Sequence, residues 1–296
     1  MPNKRHIFTG AGTAIVTPFG SSGIDFGALG RLIDFQIAGG ADAIIICGTT
    51  GEASTLTDAE HRAAIEFAVE RVGGRIPVIA GTGSNHTDYA LELSLFSKEA
   101  GADAVLLSTP YYNKCTQGGL IRHFFAVADA VELPMIVYNV PSRTGMTIAP
   151  HTYKELSAHP NIVATKEASG VMADVARTRE LCGEALDIYS GNDGDILPVL
   201  SLGGLGVISV LSNLLPKQTH DMCALFLEGR VKESAELQIK YTPLIDALFC
   251  EVSPIPVKEA LALMGMCSAE VRLPLTPMEE KNKELLVQEM RKTGLI

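Results

Sequence analysis

A chain of 296 residues, 47% of them hydrophobic, can bury one large core, alone or with a smaller one appended. Its formal net charge of −10 runs against general nucleic-acid binding, which relies on basic patches, but leaves room for small anionic substrates held by one or two local cations. No apolar run approaches the ~20 residues that span a bilayer. The N-terminal MPNKRHIFTGAGTAIVTPFG has only a short apolar stretch broken by Gly and Thr, unlike a signal peptide, so a cytoplasmic protein without membrane association is expected.

Eight short apolar runs follow in order: GTAIVTPF (12–19), ADAIIICGTT (41–50), IPVIAGTG (76–83), DAVLLSTPYY (from 103), PMIVYNVP (134–141), IVATKEAS (162–169), LDIYSGND (186–193) and GVISVLSN (206–213). They start roughly 19–34 residues apart, room for one strand and one helix each. They do not alternate strictly, as suits strands of a parallel sheet buried on both faces. Between them, Thr57-Asp-Ala-Glu60 reads as a capping box opening a helix that ends near Gly73-Gly74. Thr87 precedes a helix ending at Gly101, and HTYKELSAH and VMADVARTRELCG are further amphipathic segments. After residue 213 the pattern becomes helical: a stretch to Gly229, VKESAELQIKYTPLIDALF, PVKEALALMGM, and a last helix opened by Thr276-Pro277-Met278-Glu279, with an N-cap, Pro at N1 and an acid at N3.

This order predicts an α/β fold, a (β/α)₈ TIM barrel over residues 1–230 with a C-terminal helical domain over 231–296. A doubly wound open sheet fits less well. Gly81-Thr82-Gly83 lacks the third glycine of a dinucleotide loop, and Gly203-Gly204-Leu205-Gly206 precedes its strand. The cysteines, Cys47, Cys115, Cys182, Cys223, Cys250 and Cys267, form no C-x-x-C pair, and the histidines no H-E-x-x-H, so neither disulfides nor a metal site is expected from local motifs.

Active sites of such barrels lie at the C-terminal ends of the strands. That rule gathers Thr49, Thr50, Glu52, Tyr111, Tyr112, the stretch from Tyr138 to Arg143, Lys166, Glu167, Gly191 and Asn192 at one mouth. Lys166 has two readings: a strand-end charge in water, or an amine whose pKa falls from ~10.4 by desolvation so that it attacks a carbonyl as a neutral nucleophile. A tyrosine at the mouth is either a packing residue or the phenol of a proton relay with a neighbouring hydroxyl such as Thr49 or Thr50. Free N–H groups in the Gly48–Gly51 turn can hold a carboxylate, and the Arg143 fork, otherwise a surface charge, suits bidentate carboxylate binding.

GTTGE at 48–52, TPYYN at 109–113, YNVPSRTG at 138–145, the lysine in ATKEAS at 164–169, SGND at 190–193 and GVISV at 206–210 together resemble the dihydrodipicolinate synthases. These enzymes belong to the pyruvate-dependent class I aldolase and lyase superfamily. The resemblance covers essentially the whole chain, in order and at compatible spacing. It implies that Lys166 forms a Schiff base with pyruvate. It also implies that Tyr138 moves protons in a relay with Thr49 and with Tyr112, the latter reaching in from a neighbouring subunit. Thr50 would bind the pyruvate carboxylate, the backbone at Gly191 and Ile208 would border the bound pyruvate, and Arg143 would hold the carboxylate of L-aspartate 4-semialdehyde. The implied product is 4-hydroxy-tetrahydrodipicolinate, on the diaminopimelate route to lysine. A homotetramer built from two dimers is implied, with no cofactor beyond the covalent imine and no metal.

Sister activities, N-acetylneuraminate lyase or a 2-keto-3-deoxy sugar acid aldolase, share the lysine and tyrosine. Neuraminate lyases typically carry GSTGE where this chain has Thr49-Thr50, and lack the counterpart of Arg143. A non-catalytic binding or regulatory protein on the same barrel would be expected to have lost the lysine or the relay. In lysine-sensitive relatives an interface pocket matches Asn85, His61 and Tyr111 here. Ala53, Asp58 and Tyr89 stand where serine, histidine and glutamate are usual, so weak or absent inhibition by L-lysine is expected.

Overall fold

The computed structural model describes residues 6–296. Eight parallel strands form a closed barrel: β1 (Gly10–Ala14), β2 (Ala43–Ile46), β3 (Val78–Gly81), β4 (Ala104–Ser108), β5 (Met135–Asn139), β6 (Ile162–Glu167), β7 (Asp187–Ser190) and β8 (Gly206–Ser209). Each strand pairs with its sequence neighbours, and β1 closes on β8 through Gly10↔Gly206 to Thr13↔Ser209. The seam is tight: a Cβ on Gly206 would sit 1.8 Å from the Gly10 carbonyl oxygen, so only glycine fits there. Seven of the eight runs predicted as strands contain one, and the first, 12–19, overlaps β1, which starts two residues earlier at Gly10. A two-residue-per-strand hairpin, Phe19–Gly20 with Gly23–Ile24, is an addition not read from the sequence.

Helices wrap the barrel, and their ends follow local chemistry. Thr57 and Glu60 exchange hydrogen bonds as a capping box, and the helix Asp58–Val72 ends on Gly73 at φ 56°. Two predicted starts move. Thr87 is the first residue of Thr87–Glu99 rather than its cap, because its hydroxyl bonds His123 Nδ1 at 2.9 Å. The last helix is Glu280–Thr293, later than the Thr276 start expected. There the cap comes from another segment: Glu251 Oε1 accepts from the Glu279 N–H and the Asn282 amide at 2.9 and 2.8 Å, while buried Met278 anchors the preceding stretch.

The helices Val231–Leu248, Ile255–Leu263 and Glu280–Thr293 form the C-terminal layer. It shares one apolar core with the barrel's outer helices, in which Leu29, Ile33, Ile196, Leu244, Leu261 and Leu286 are all buried. The barrel interior is a separate cluster that includes Ile45, Ile79, Leu106, Ile136, Tyr138 and Ile208. Phe8 and Tyr189 stack within it, ring centroids 4.3 Å apart, and the Tyr189 hydroxyl donates to the Phe8 carbonyl at 2.6 Å. Among the described residues no helix is long and apolar enough to cross a membrane.

Candidate active site

Alternation along β6 decides what Lys166 meets. Successive strand residues point to opposite faces, and Lys166 aligns with Tyr138 on β5 and Tyr189 on β7, both members of the interior cluster. Glu167, its sequence neighbour, therefore turns outward. Its carboxylate accepts from Asn139 Nδ2 at 3.0 Å, from the Tyr153 hydroxyl at 3.1 Å and from the Ser169 N–H at 2.7 Å. The nearest acid in sequence is thus not the partner of the amine.

Lys166 is only 6% exposed, and its Nζ lies 4.3 Å from the Tyr138 ring centroid with no carboxylate in ion-pair contact among the described residues. Burial pulls its pKa down to about 7; the field of Asp193 opposes the shift and that of Arg143 adds to it. A large share of the amine is therefore neutral near pH 7, the form that attacks carbonyls. The surroundings also fix its reach, since a Cβ on Gly191 would lie 3.2 Å from Lys166 Cε and 2.8 Å from Ala168 Cβ. Ile208, on β8, packs in the same interior cluster.

Burial pushes the Tyr138 phenol up to about 12, so it stays protonated and able to donate; a hydrogen bond with the Thr49 side chain pulls the other way. Thr49 and Thr50 sit in the turn after β2. Gly51 and Glu52 donate backbone N–H groups to the Gly48 and Thr49 carbonyls at 3.1 Å each, whereas among the described residues those of Thr49 and Thr50 meet no backbone carbonyl. That leaves two donors in the turn, with Thr50 buried and Thr49 exposed. Arg143 follows β5 in the short helix Pro141–Thr144, exposed, with Nη2 donating to the Ser253 carbonyl at 3.2 Å. Thr49, Tyr138, Arg143, Tyr111, Ser84 and His61 border one cleft of about 430 Å³.

Tyr112 stands apart. It is 91% exposed, at φ 68°, and projects from the loop after β4 rather than into its own chain's cleft. Asn192 also turns away, its amide donating to Asp195 Oδ2 at 2.9 Å. The residue missed by sequence reasoning is Asp193, fully inside. Its Oδ1 accepts from the Ser209 hydroxyl, and its Oδ2 from the Val210 and Leu211 N–H groups at 3.0 Å each. Burial raises its pKa while these three donors and Lys166 lower it. Its sequence signal is an acid ending SGND just after a strand, whereas the strand-end rule takes only Gly191 and Asn192 to the mouth. Among the described residues no group of three or more His, Cys, Asp or Glu is arranged to hold a metal ion.

A sequence profile of the dihydrodipicolinate synthetase family matches residues 7–293. The 4-hydroxy-tetrahydrodipicolinate synthase of Lachnoclostridium phytofermentans is 59% identical over 292 residues, 98% of this chain and 99% of that one. Its namesake in Caldicellulosiruptor saccharolyticus is 57% identical over 290 residues, 98% of each chain. A crystal structure of chloride-inhibited dihydrodipicolinate synthase from Acinetobacter baumannii, complexed with pyruvate, superposes with a TM-score of 0.96 over 98% of this chain and 100% of that one, at 42% identity. The chain, a (β/α)₈ barrel whose sixth strand carries a buried amine beside Tyr138, which borders the cleft, belongs to the dihydrodipicolinate synthetase family.

Proposed function

We propose that the protein is a lyase that condenses pyruvate with L-aspartate 4-semialdehyde to give 4-hydroxy-tetrahydrodipicolinate, in the diaminopimelate route to lysine. The observation that carries this reading is the buried Lys166 amine, pulled to about 7, beside the Tyr138 phenol in a chain whose relatives bear that enzyme's name. Neutral Lys166 adds to C2 of pyruvate, and the carbinolamine loses its hydroxyl as water on receiving a proton from Tyr138. The imine draws electrons from C3, whose proton passes to the Tyr138 phenolate left by the first transfer, and C3 becomes the enamine carbon. That carbon attacks the aldehyde, whose oxygen takes a proton from the relay. The substrate's own amine then adds to C2 and displaces Lys166, closing the ring. No organic cofactor or metal enters any of these steps.

Thr50 and the free N–H groups of its turn hold the pyruvate carboxylate, with the Gly191 and Ile208 backbone bordering the bound molecule. Arg143 holds the carboxylate of the aldehyde. Thr49 links the Tyr138 hydroxyl onward to Tyr112 of a neighbouring subunit in a homotetramer, a role that suits a tyrosine projecting 91% exposed from its own chain. The chemistry is that of a cytoplasmic biosynthetic enzyme. Incubation with pyruvate and borohydride should leave a stable adduct on Lys166, found by peptide mass spectrometry. A coupled assay with both substrates should register turnover while sialic acid cleavage does not. Labelling elsewhere, or preferred cleavage of sialic acid, would contradict the reading. The subunit crossing has its own check: mixed dimers of Tyr112→Phe and Lys166→Ala chains should regain activity through sites that keep both groups, and verified mixed dimers without rescue would return Tyr112 to its own chain.

A further inference from the structure

The turn that carries Thr49 and Thr50 is held from outside the barrel. It is bracketed by Cys47 at φ 54° and Glu52 at φ 52°, a left-handed conformation that residues with a Cβ adopt rarely and only where their surroundings impose it. At Glu52 the imposing contacts are charged. Its carboxylate is buried, with Oε1 accepting from Lys258 Nζ at 2.7 Å and Oε2 from the Arg272 N–H at 3.1 Å.

Lys258 lies on the C-terminal helix Ile255–Leu263 and is 0% exposed. It also donates to the Thr17 carbonyl at 2.9 Å, and the Thr17 hydroxyl donates in turn to the Gly51 carbonyl at 2.7 Å. The Phe19 ring lies 4.1 Å from both Lys258 Nζ and Arg272 Cζ. Arg272 Nη1 reaches Glu60 at 2.7 Å and the Thr55 carbonyl at 3.0 Å, so the next segment of the loop is tied down too. Just ahead of Lys258, the Ser253 carbonyl accepts from Arg143.

A buried ion pair stabilises a fold no better, as a rule, than apolar side chains of the same volume, so stability alone does not account for two ions inside a large apolar core. What the pair does supply is direction, since each hydrogen bond fixes where one carbonyl or carboxylate must lie. We propose that Lys258 and Glu52 are positioning residues: their buried pair sets the backbone of residues 48–52 so that Thr49 meets the Tyr138 phenol and Thr50 meets the substrate carboxylate. The C-terminal layer is thereby a working part of the barrel mouth. This rests on the pyruvate reading above.

The test uses the full-length chain as Lys258→Met and, separately, the near-isosteric Glu52→Gln, which keeps shape while removing charge. Folded protein is quantified by near-UV circular dichroism, and kcat, both KM values and the rate of borohydride trapping by pyruvate are measured per folded molecule. Misplacement of the turn predicts a rise of about 5- to 10-fold in KM for pyruvate and a fall of about 10-fold or more in kcat and in trapping rate, with Lys166 still the residue labelled at the endpoint. Glu52→Gln should follow the same direction with a smaller effect. Folded variants with kcat, KM and trapping rate within about twofold of wild type would reduce the pair to a structural contact and overturn the proposal. Should Lys258→Met not fold, Glu52→Gln alone decides by the same criteria. Wild-type protein that fails to label at Lys166 would overturn the Schiff-base reading and this proposal with it. Labelled wild type with unaltered variants overturns this proposal alone.

Discussion

Two lysines among the described residues, Lys166 and Lys258, are buried in opposite company. Lys258 is fully enclosed in the C-terminal layer, bonded to a carboxylate and a carbonyl and lying against an aromatic face. Lys166, at the barrel mouth, is almost as deeply buried but has the Tyr138 ring beside it and no ion pair among the described residues. Burial lowers the pKa of both, and in Lys258 the Glu52 carboxylate pulls it back. The same side chain is thus held by a carboxylate in one place and left without one in the other, where the proposed chemistry needs a neutral amine. An uncompensated amine is a cost to the fold, retained where chemistry needs it.

The comparison can be broken by exchanging roles. Lys166→Ala should cut turnover by about 10⁴-fold or more, the scale of losing a covalent group, yet leave thermal stability unchanged or raised. Lys258→Met should do the reverse to stability. Removing one partner of a buried pair costs ~3–5 kcal/mol, several degrees or more in Tm for a chain of this size. A scan in which Lys166→Ala melts lower than Lys258→Met would invert the assignment.

Arg143 sharpens the contrast between groups that react and groups that hold. A charge-assisted hydrogen bond is worth ~1.5–3 kcal/mol, so Arg143→Leu should lower kcat/KM for the semialdehyde by roughly 10- to 150-fold. Pyruvate trapping should survive, because the amine is untouched. Unchanged kinetics for the aldehyde would remove Arg143 from substrate binding.

The amine's environment also sets a pH signature. With its pKa at about 7 in the folded chain, the rate of pyruvate trapping should rise about tenfold per unit below pH 7 and level off above it. For stability the folded value lies below the unfolded ~10.4, so the unfolded chain holds more protons between these limits and stability gains with rising pH across that window. Lys166→Met should lack this gain relative to wild type, seen as a narrowing difference in Tm between pH 7 and 10. A trapping rate that rises only above pH 9 would mean an ordinary solvated lysine.

The smallest effect is expected from L-lysine as an inhibitor. Asp58, one of the unusual residues in the pocket region, is already engaged: it accepts from Arg62 Nε at 2.8 Å and from the Tyr89 hydroxyl at 3.0 Å. Tyr89 offers no charge to a ligand ammonium. Half-inhibition should therefore lie above about 1 mM, weaker than ~−4 kcal/mol of binding, in a titration at fixed pyruvate.

The barrel was legible because its strands read as short apolar runs at regular spacing, with the helix Asp58–Val72 between two of them bounded by its own capping box and glycine. Each strand end could therefore be placed, and Lys166, Tyr138, Arg143 and the 48–52 turn brought to one mouth. What stayed hidden depends on pairings between distant segments. Nothing near Glu52 in sequence announces Lys258, and nothing near Glu279 announces the Glu251 carboxylate that starts the last helix. Asp193 was passed over because its three donors arrive from β8 and the residues after it. Glu167 differs in the other direction: the strand-end rule gathers it at the mouth with Lys166, whereas strand alternation turns it to the outer face, against Asn139 and Tyr153.

The seam between β1 and β8 has a consequence for how the enzyme comes into being. Gly10 must find Gly206, a contact that spans most of the chain, and such distant pairings slow folding and come late. During synthesis β1 emerges long before its partner, leaving an open sheet edge that is prone to mispairing and aggregation until β8 arrives. The enclosure that lowers the Lys166 pKa belongs to the closed barrel, so on the Schiff-base reading proposed above an unclosed chain is expected to carry the ~10.4 of a solvated lysine and to trap pyruvate poorly near pH 7.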